Sequence, residues 1–132
     1  MTLPSNDISI LVVDDFPTMR KIVRQVLRQL GFLNIHEAED GESALAVLRE
    51  NAHIQFVISD WNMPKMNGIE LLRTVRADST LSKVPFLMVT AEADKSCIVE
   101  AVKSGVNGYI VKPFNASTLK EKMEKIFANR GA

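Results

Sequence analysis

The sequence predicts an α/β fold, a five-stranded parallel sheet with helices on both faces. Three observations carry this expectation. Apolar runs of strand length alternate along the chain with segments whose apolar residues recur at helical spacing. The first, third and fourth runs are almost wholly apolar, as strands buried on both faces must be. Four of the runs end on polar residues: Asp14-Asp15, Asp60, Thr90 and Lys112.

Residues 8–13 form the first apolar run. From Met19 the period changes: Met19, Ile22, Val23, Val26, Leu27 and Leu30 make the stripe of an amphipathic helix. Pro17 suits its first turn and Gly31 its end. A short second strand is expected over 35–38, then a helix over 42–50 with Ala44, Leu45 and Leu48 inward. The third strand, 56–59, ends at Asp60, and a loop with Pro64 and Gly68 leads to a helix over 69–76 that buries Leu72 and Val75. The fourth strand spans 85–89 and ends at Thr90. The helix over 95–104 turns Cys97, Ile98, Ala101 and Val102 inward and stops at Gly105. The fifth strand, 109–111, ends at Lys112-Pro113. Ser117 or Thr118 caps a last helix whose stripe is Leu119, Met123, Ile126 and Phe127. Crossovers between parallel strands are expected to be right-handed.

Composition narrows the function. The 132 residues fit one domain, and 46% hydrophobic residues supply a core. Lys plus Arg and Asp plus Glu are 16 each, so the basic footprint of a nucleic-acid binder is absent. No apolar run approaches membrane-span length, and the first seven residues lack the pattern of a signal peptide. A single cysteine, Cys97, excludes an internal disulfide and reads as a small buried residue. The expectation is a cytoplasmic monomer. His36 and His53 show no metal-ligand spacing and read as surface or satisfied core residues.

In an open parallel sheet, ligands bind outside the carboxyl ends of the strands. Asp14, Asp15, Asp60, Thr90 and Lys112 all fall on that edge. Carboxylates gathered there repel each other and hold protons unless a cation is present. Magnesium takes a few carboxylate oxygens, keeps several waters and leaves room for a phosphate. A lysine is a compact positive charge for a phosphoryl oxygen, a threonine hydroxyl donates one hydrogen bond to it, and a carboxylate can itself be the nucleophile, giving an aspartyl phosphate. Asp60 leaves its strand alone while the other two form a pair, so attack falls to Asp60 and metal work to Asp14 and Asp15. Each residue also has an ordinary reading: Asp14 or Asp15 as a helix N-cap, Asp60 as a turn residue, Thr90 as a cap, Lys112 as a solvated lysine. Together these readings leave the shared edge unexplained.

The stretches LVVDDFPTMR, AEDG, SDWNMPKMNG, LMVTAEA and GYIVKPF resemble the receiver domains of two-component response regulators over nearly the whole chain, and within them the chemotaxis response regulators of the CheY type. The resemblance implies a (βα)5 flavodoxin-like receiver fold. It also implies the strand order 2-1-3-4-5, for which chemotaxis regulators of this type are themselves the standing example. It implies one receiver domain over 1–132 with no output domain. Asp60 would take a phosphoryl group from a histidine kinase or from acetyl phosphate. Asp15, Asp60 and the Asn62 carbonyl would bind Mg2+, with Asp14 acting through water. Lys112 would contact the phosphoryl group, with a cis peptide before Pro113. Thr90 and Tyr109 would be the switch. Lys95, Ile98, Val102, Tyr109 and Lys122 would form the face that meets the kinase and the flagellar motor switch protein. Trp61, Asn62 and Glu92 flank the site and would tune hydrolysis. A dedicated phosphatase is a further implied partner. The chain would not be an enzyme beyond its own phosphorylation and dephosphorylation. Pro17, where Ser is usual, and Asn67, where Asp is common, depart from the pattern without touching the chemistry. The alternative within the family is a phosphate sink or a receiver of another two-component pathway.

Three rival classes fare worse. A magnesium phosphohydrolase would carry an Asp-x-Asp-x-Thr run, where this chain has Asp14-Asp15-Phe16-Pro17-Thr18. A flavin binder would carry a Thr/Ser/Gly-rich phosphate loop after the first strand. An interaction module with a decayed site would lack an Asp or the Lys.

Overall fold

The computed structural model describes residues 4–51, 53–91 and 95–130. Ten elements alternate: β1 (Ser9–Val13), α1 (Pro17–Gln29), β2 (Asn34–Ala38), α2 (Gly41–Glu50), β3 (Ile54–Asp60), α3 (Gly68–Ala77), β4 (Phe86–Thr90), α4 (Lys95–Lys103), β5 (Gly108–Val111) and α5 (Ala116–Arg130). The sheet order is β2-β1-β3-β4-β5, and every neighbouring pair is parallel.

Successive strand residues point to opposite faces, which produces two cores. Leu11, Val13, Val57 and Phe86 pack with Ala44, Leu45, Leu48, Leu72, Val75 and Ala101, under α2, α3 and α4. Ile10, Val12, Phe56, Ile58, Leu87 and Val89 pack with Val23, Val26, Leu27, Leu119, Met123 and Ile126, under α1 and α5. Continuously apolar strands therefore need helices on both faces.

Several boundaries and faces differ from the sequence reading. β3 begins at Ile54 rather than Phe56. The register skips Gln55 between Ser9 and Ile10, and this exposed bulged residue interrupts the apolar run that would have revealed Ile54. β4 begins after Pro85 and includes Thr90. The cap of α5 is Asn115, whose Oδ1 accepts from Thr118 N at 2.9 Å, rather than Ser117 or Thr118 themselves. On α4 only Ala101 of the expected inner face is buried. Cys97 and Ile98 are half-buried, and Val102 is 60% exposed. Ile22 of α1 is likewise exposed. Both buried stripes are narrower than the periodicity suggests.

Candidate functional site

Strand register builds the site. Val13 pairs with Ser59 across β1 and β3, so Asp14 and Asp60 leave the sheet side by side. Thr90 pairs with Val111, so Lys112 emerges next to the end of β4. Asp14 donates its N–H to the Ala38 carbonyl at 3.1 Å, which carries β1 one residue past its strand.

The carboxylates of Asp14, Asp15 and Asp60 each offer an oxygen within 4.8 Å of the others. Asp14 is 3% and Asp60 8% exposed, while Asp15 is open to solvent. Lys112 Nζ lies 3.2 Å from Asp14 Oδ2 and 3.3 Å from Asp60 Oδ1. Trp61 donates its backbone N–H to Asp60 Oδ1 at 2.9 Å. Burial, and then the neighbouring Asp14 charge, push the Asp60 carboxyl above the ordinary carboxylate value; Lys112 and the Trp61 N–H pull the other way without cancelling them. One lysine, paired with two of three clustered carboxylates, leaves the cluster short of positive charge. Hard oxygen donors converging from two strand ends, one of them exposed, fit a hard divalent cation.

Asp14 is not the N-cap of α1. That position belongs to Phe16, which makes no side-chain cap bond. Asp14 Oδ1 instead accepts from Phe16 N at 2.9 Å, folding the β1–α1 turn around its own carboxylate. Arg20 holds the Asp14 carbonyl at 2.6 Å and reaches Glu37 at 3.4 Å. Gly68 opens α3 so close to β3 that an added Cβ would lie 2.4 Å from the Asp60 carbonyl oxygen. Neither the contacts of Arg20 nor the role of Gly68, which read as a loop glycine, were visible in the sequence.

The remaining candidates divide. Thr90 is buried at the end of β4, and its carbonyl accepts from Lys112 N at 2.8 Å. Asn62 is exposed in the β3–α3 loop, where Asp15, Asn62, Met63, Pro64 and Asn67 line an open cavity of about 440 Å³. The Lys112–Pro113 peptide is cis. Tyr109 is half-buried on β5, away from the carboxylates' immediate contacts, with Lys122 Nζ 5.1 Å from its ring centroid. Ile98 and Val102 share α4. The Lys95 side chain and Glu92 lie outside the described residues. Cys97 is half-buried and free rather than fully buried. His36 and His53, which no spacing connects, meet edge to face with ring centroids 6.0 Å apart. Among the described residues no helix is long and apolar enough to cross a membrane.

Comparison with known proteins agrees with this architecture. The response regulator receiver domain family matches residues 10–124. The chain is 56% identical to chemotaxis protein CheY-3 of Vibrio cholerae, over 93% of this chain and 94% of the relative. It is 58% identical to chemotaxis protein CheY of Pseudomonas aeruginosa, over 89% of this chain and 94% of the relative. Among solved structures, chemotaxis protein CheY4 of V. cholerae superposes with a TM-score of 0.84 at 35% identity, covering 91% of this chain and 98% of that one. A response regulator from Chloroflexus aurantiacus superposes with a TM-score of 0.86 at 31% identity, covering 92% and 98%. With an acidic cluster and a lysine gathered at the carboxyl edge of a 2-1-3-4-5 sheet, the chain belongs to the response regulator receiver domain family.

Proposed function

We propose that this chain is a phosphorylation-activated switch of a chemotaxis pathway and that Asp60 is its phosphoacceptor. The observation that carries the reading is Asp60 itself. It is a buried carboxylate at the end of a central strand, within 4.8 Å of two further carboxylates and 3.3 Å from a lysine. The similarity to chemotaxis proteins supports the pathway.

A carboxylate oxygen of Asp60 attacks the phosphorus of a kinase phosphohistidine or of acetyl phosphate. A P–O bond to Asp60 forms as the P–N or P–O bond to the donor breaks, and the electron pair leaves with imidazole or acetate. Asp14, Asp15, Asp60 and the Asn62 carbonyl would hold Mg2+, which supplies positive charge against the incoming phosphoryl oxygens. Lys112, with its Nζ 3.3 Å from Asp60 Oδ1, would add a second positive charge and holds Asp60 in place beforehand. The Trp61 N–H keeps the carboxylate oriented. Hydrolysis by water returns Asp60 and inorganic phosphate, so turnover is confined to the chain's own modification.

The output follows from contacts that differ between the two states. Thr90 stands at the end of β4 within the site's edge, and its hydroxyl would bind the phosphoryl group. Tyr109 on the neighbouring strand would then turn inward. The surface re-shaped is that of α4, β5 and α5, with Lys95, Ile98, Val102, Tyr109 and Lys122. Val99 and Val102 of α4 are already exposed, which suits a helix that gains cover from a partner. The flagellar motor switch protein is the proposed partner, and a histidine kinase the proposed donor.

Trp61 is the only tryptophan and adjoins Asp60. Its fluorescence should change with Mg2+ and change again with acetyl phosphate. The second change should be absent in Asp60→Asn. A donor response that survives in the mutant would place the phosphoacceptor elsewhere.

A further inference from the structure

The β3–α3 loop, which carries Asn62, is tied at both ends. At its base Gly68 N–H donates to the Trp61 carbonyl at 2.8 Å. At its tip Met66 N–H donates to the Pro64 carbonyl at 2.7 Å, a three-residue turn centred on Lys65. Lys65 has a φ of 63° and is the one non-glycine residue with positive φ among the described residues. L-residues disfavour that region, and such a conformation persists only where its surroundings over-determine it.

The surroundings are the N-terminus of α2. Gly41 N–H donates to the Met66 carbonyl at 3.1 Å. A Cβ on Gly41 would fall 2.6 Å from that same oxygen, so the loop can seat there only because residue 41 is glycine. Asp40, 2% exposed, caps α2 by accepting from Ser43 N at 2.8 Å. Its other oxygen lies 3.8 Å from Lys65 Nζ. One buried carboxylate therefore holds a helix start and faces the strained lysine of a loop from a different βα unit.

We propose that the Asp40-Gly41 turn is a clasp for the cation site. It fixes the tip of the 61–68 loop and, through it, the position of the Asn62 carbonyl, which makes Asp40, Gly41 and Lys65 positioning residues for Mg2+ rather than ligands. This rests on the cation reading given above. It goes further in stating that cation affinity is set partly from α2, an element that supplies no ligand. Coupling is reciprocal, so bound Mg2+ must in turn stabilise the start of α2.

The test is a Mg2+ titration followed by Trp61 fluorescence on wild type, Asp14→Asn, Gly41→Ala and Asp40→Asn, with folding checked by circular dichroism. Gly41→Ala should weaken the Mg2+ dissociation constant by about tenfold, the usual scale for outer-sphere support of a metal site. Asp40→Asn keeps the cap acceptor and loses only the charge facing Lys65, so its loss should be smaller. Should Gly41→Ala not fold, amide exchange on the wild type decides. Mg2+ should slow exchange at Gly41 in wild type and leave it unchanged in Asp14→Asn. A folded Gly41→Ala that binds Mg2+ within about twofold of wild type, or a Gly41 amide indifferent to Mg2+, overturns the clasp while the cation site stands. Unaltered Mg2+ binding by Asp14→Asn overturns the cation reading itself.

Discussion

Lys112 and Asp14, 98 positions apart in the chain, meet as an ion pair at 3.2 Å, with Asp14 almost fully buried. The same Nζ reaches Asp60 at 3.3 Å. A single cation thus serves two carboxylates at the edge of the sheet, and the site is balanced for a further positive charge. Four expected outcomes follow from this and related contacts.

Lys112→Met leaves the acidic cluster without its lysine. Breaking a buried ion pair is costly and breaking an exposed one is nearly free. Lys112 is 19% exposed, so the loss in thermal or urea unfolding is expected at about 2 kcal/mol. Added MgCl2 should raise the Tm of Lys112→Met by more than that of wild type, because the ion then relieves the larger repulsion. Equal Mg2+ effects on both proteins would mean that the lysine and the cation act at separate places.

Asp60→Asn is expected to stabilise the metal-free protein. Burial and the Asp14 charge raise the Asp60 pKa in the folded chain. Between its unfolded and folded values the native state holds the extra proton, and stability falls as pH rises through that window. Above the window the ionised Asp60 is a standing cost that asparagine removes. In EDTA at neutral pH the mutant Tm should exceed that of wild type, and the gap should narrow as pH falls toward the ordinary carboxylate value of 3.8. A mutant less stable than wild type at neutral pH would show that the ion pair with Lys112 outweighs burial.

Arg76 ties the opposite edge of the sheet. It donates to the carbonyls of Gly105, Ser82 and Val84 and to Asn107 Oδ1, which also accepts from Phe86 N. Arg76→Ala leaves several carbonyls short of a donor and should cost about 2 kcal/mol in chemical unfolding. Mg2+ affinity by Trp61 fluorescence should be unchanged, since the network lies at the amino ends of the strands. A shift in Mg2+ affinity would show that the two edges are coupled.

Val102→Glu probes the proposed partner face. The side chain is 60% exposed, so stability should move by no more than about 0.5 kcal/mol. Phosphorylation by acetyl phosphate should proceed as in wild type. Binding to the flagellar motor switch protein, measured by calorimetry, should weaken at least about tenfold, the cost of a charge buried at an interface core. Wild-type binding would move the interface away from α4.

The alternation of elements was legible because it rests on local patterns. Apolar runs such as Ile10 to Val13 and the Val23, Val26, Leu27 stripe announce strand and helix by their period alone. Gly31 and Gly105 mark helix ends through their positive φ, 98° and 96°. The set Asp14, Asp15, Asp60 and Lys112 was legible because each ends a strand or lies within two residues of a strand's end, and parallel strands share one carboxyl edge. What the chain alone could not show are relations between elements. The Gln55 bulge and the His36–His53 contact depend on how the strands pair, and the exposure of Val102 and Ile22 on how the helices pack. The Arg76 network and the seat of Met66 on Gly41 join segments with no common period or spacing. Local sequence determines which residues alternate and which strand ends are acidic, because period and chain direction are properties of each segment. Distances, burial and the raised pKa of Asp60 were decided by tertiary packing, because they arise only when separate strand ends and the side chains between them share one excluded volume.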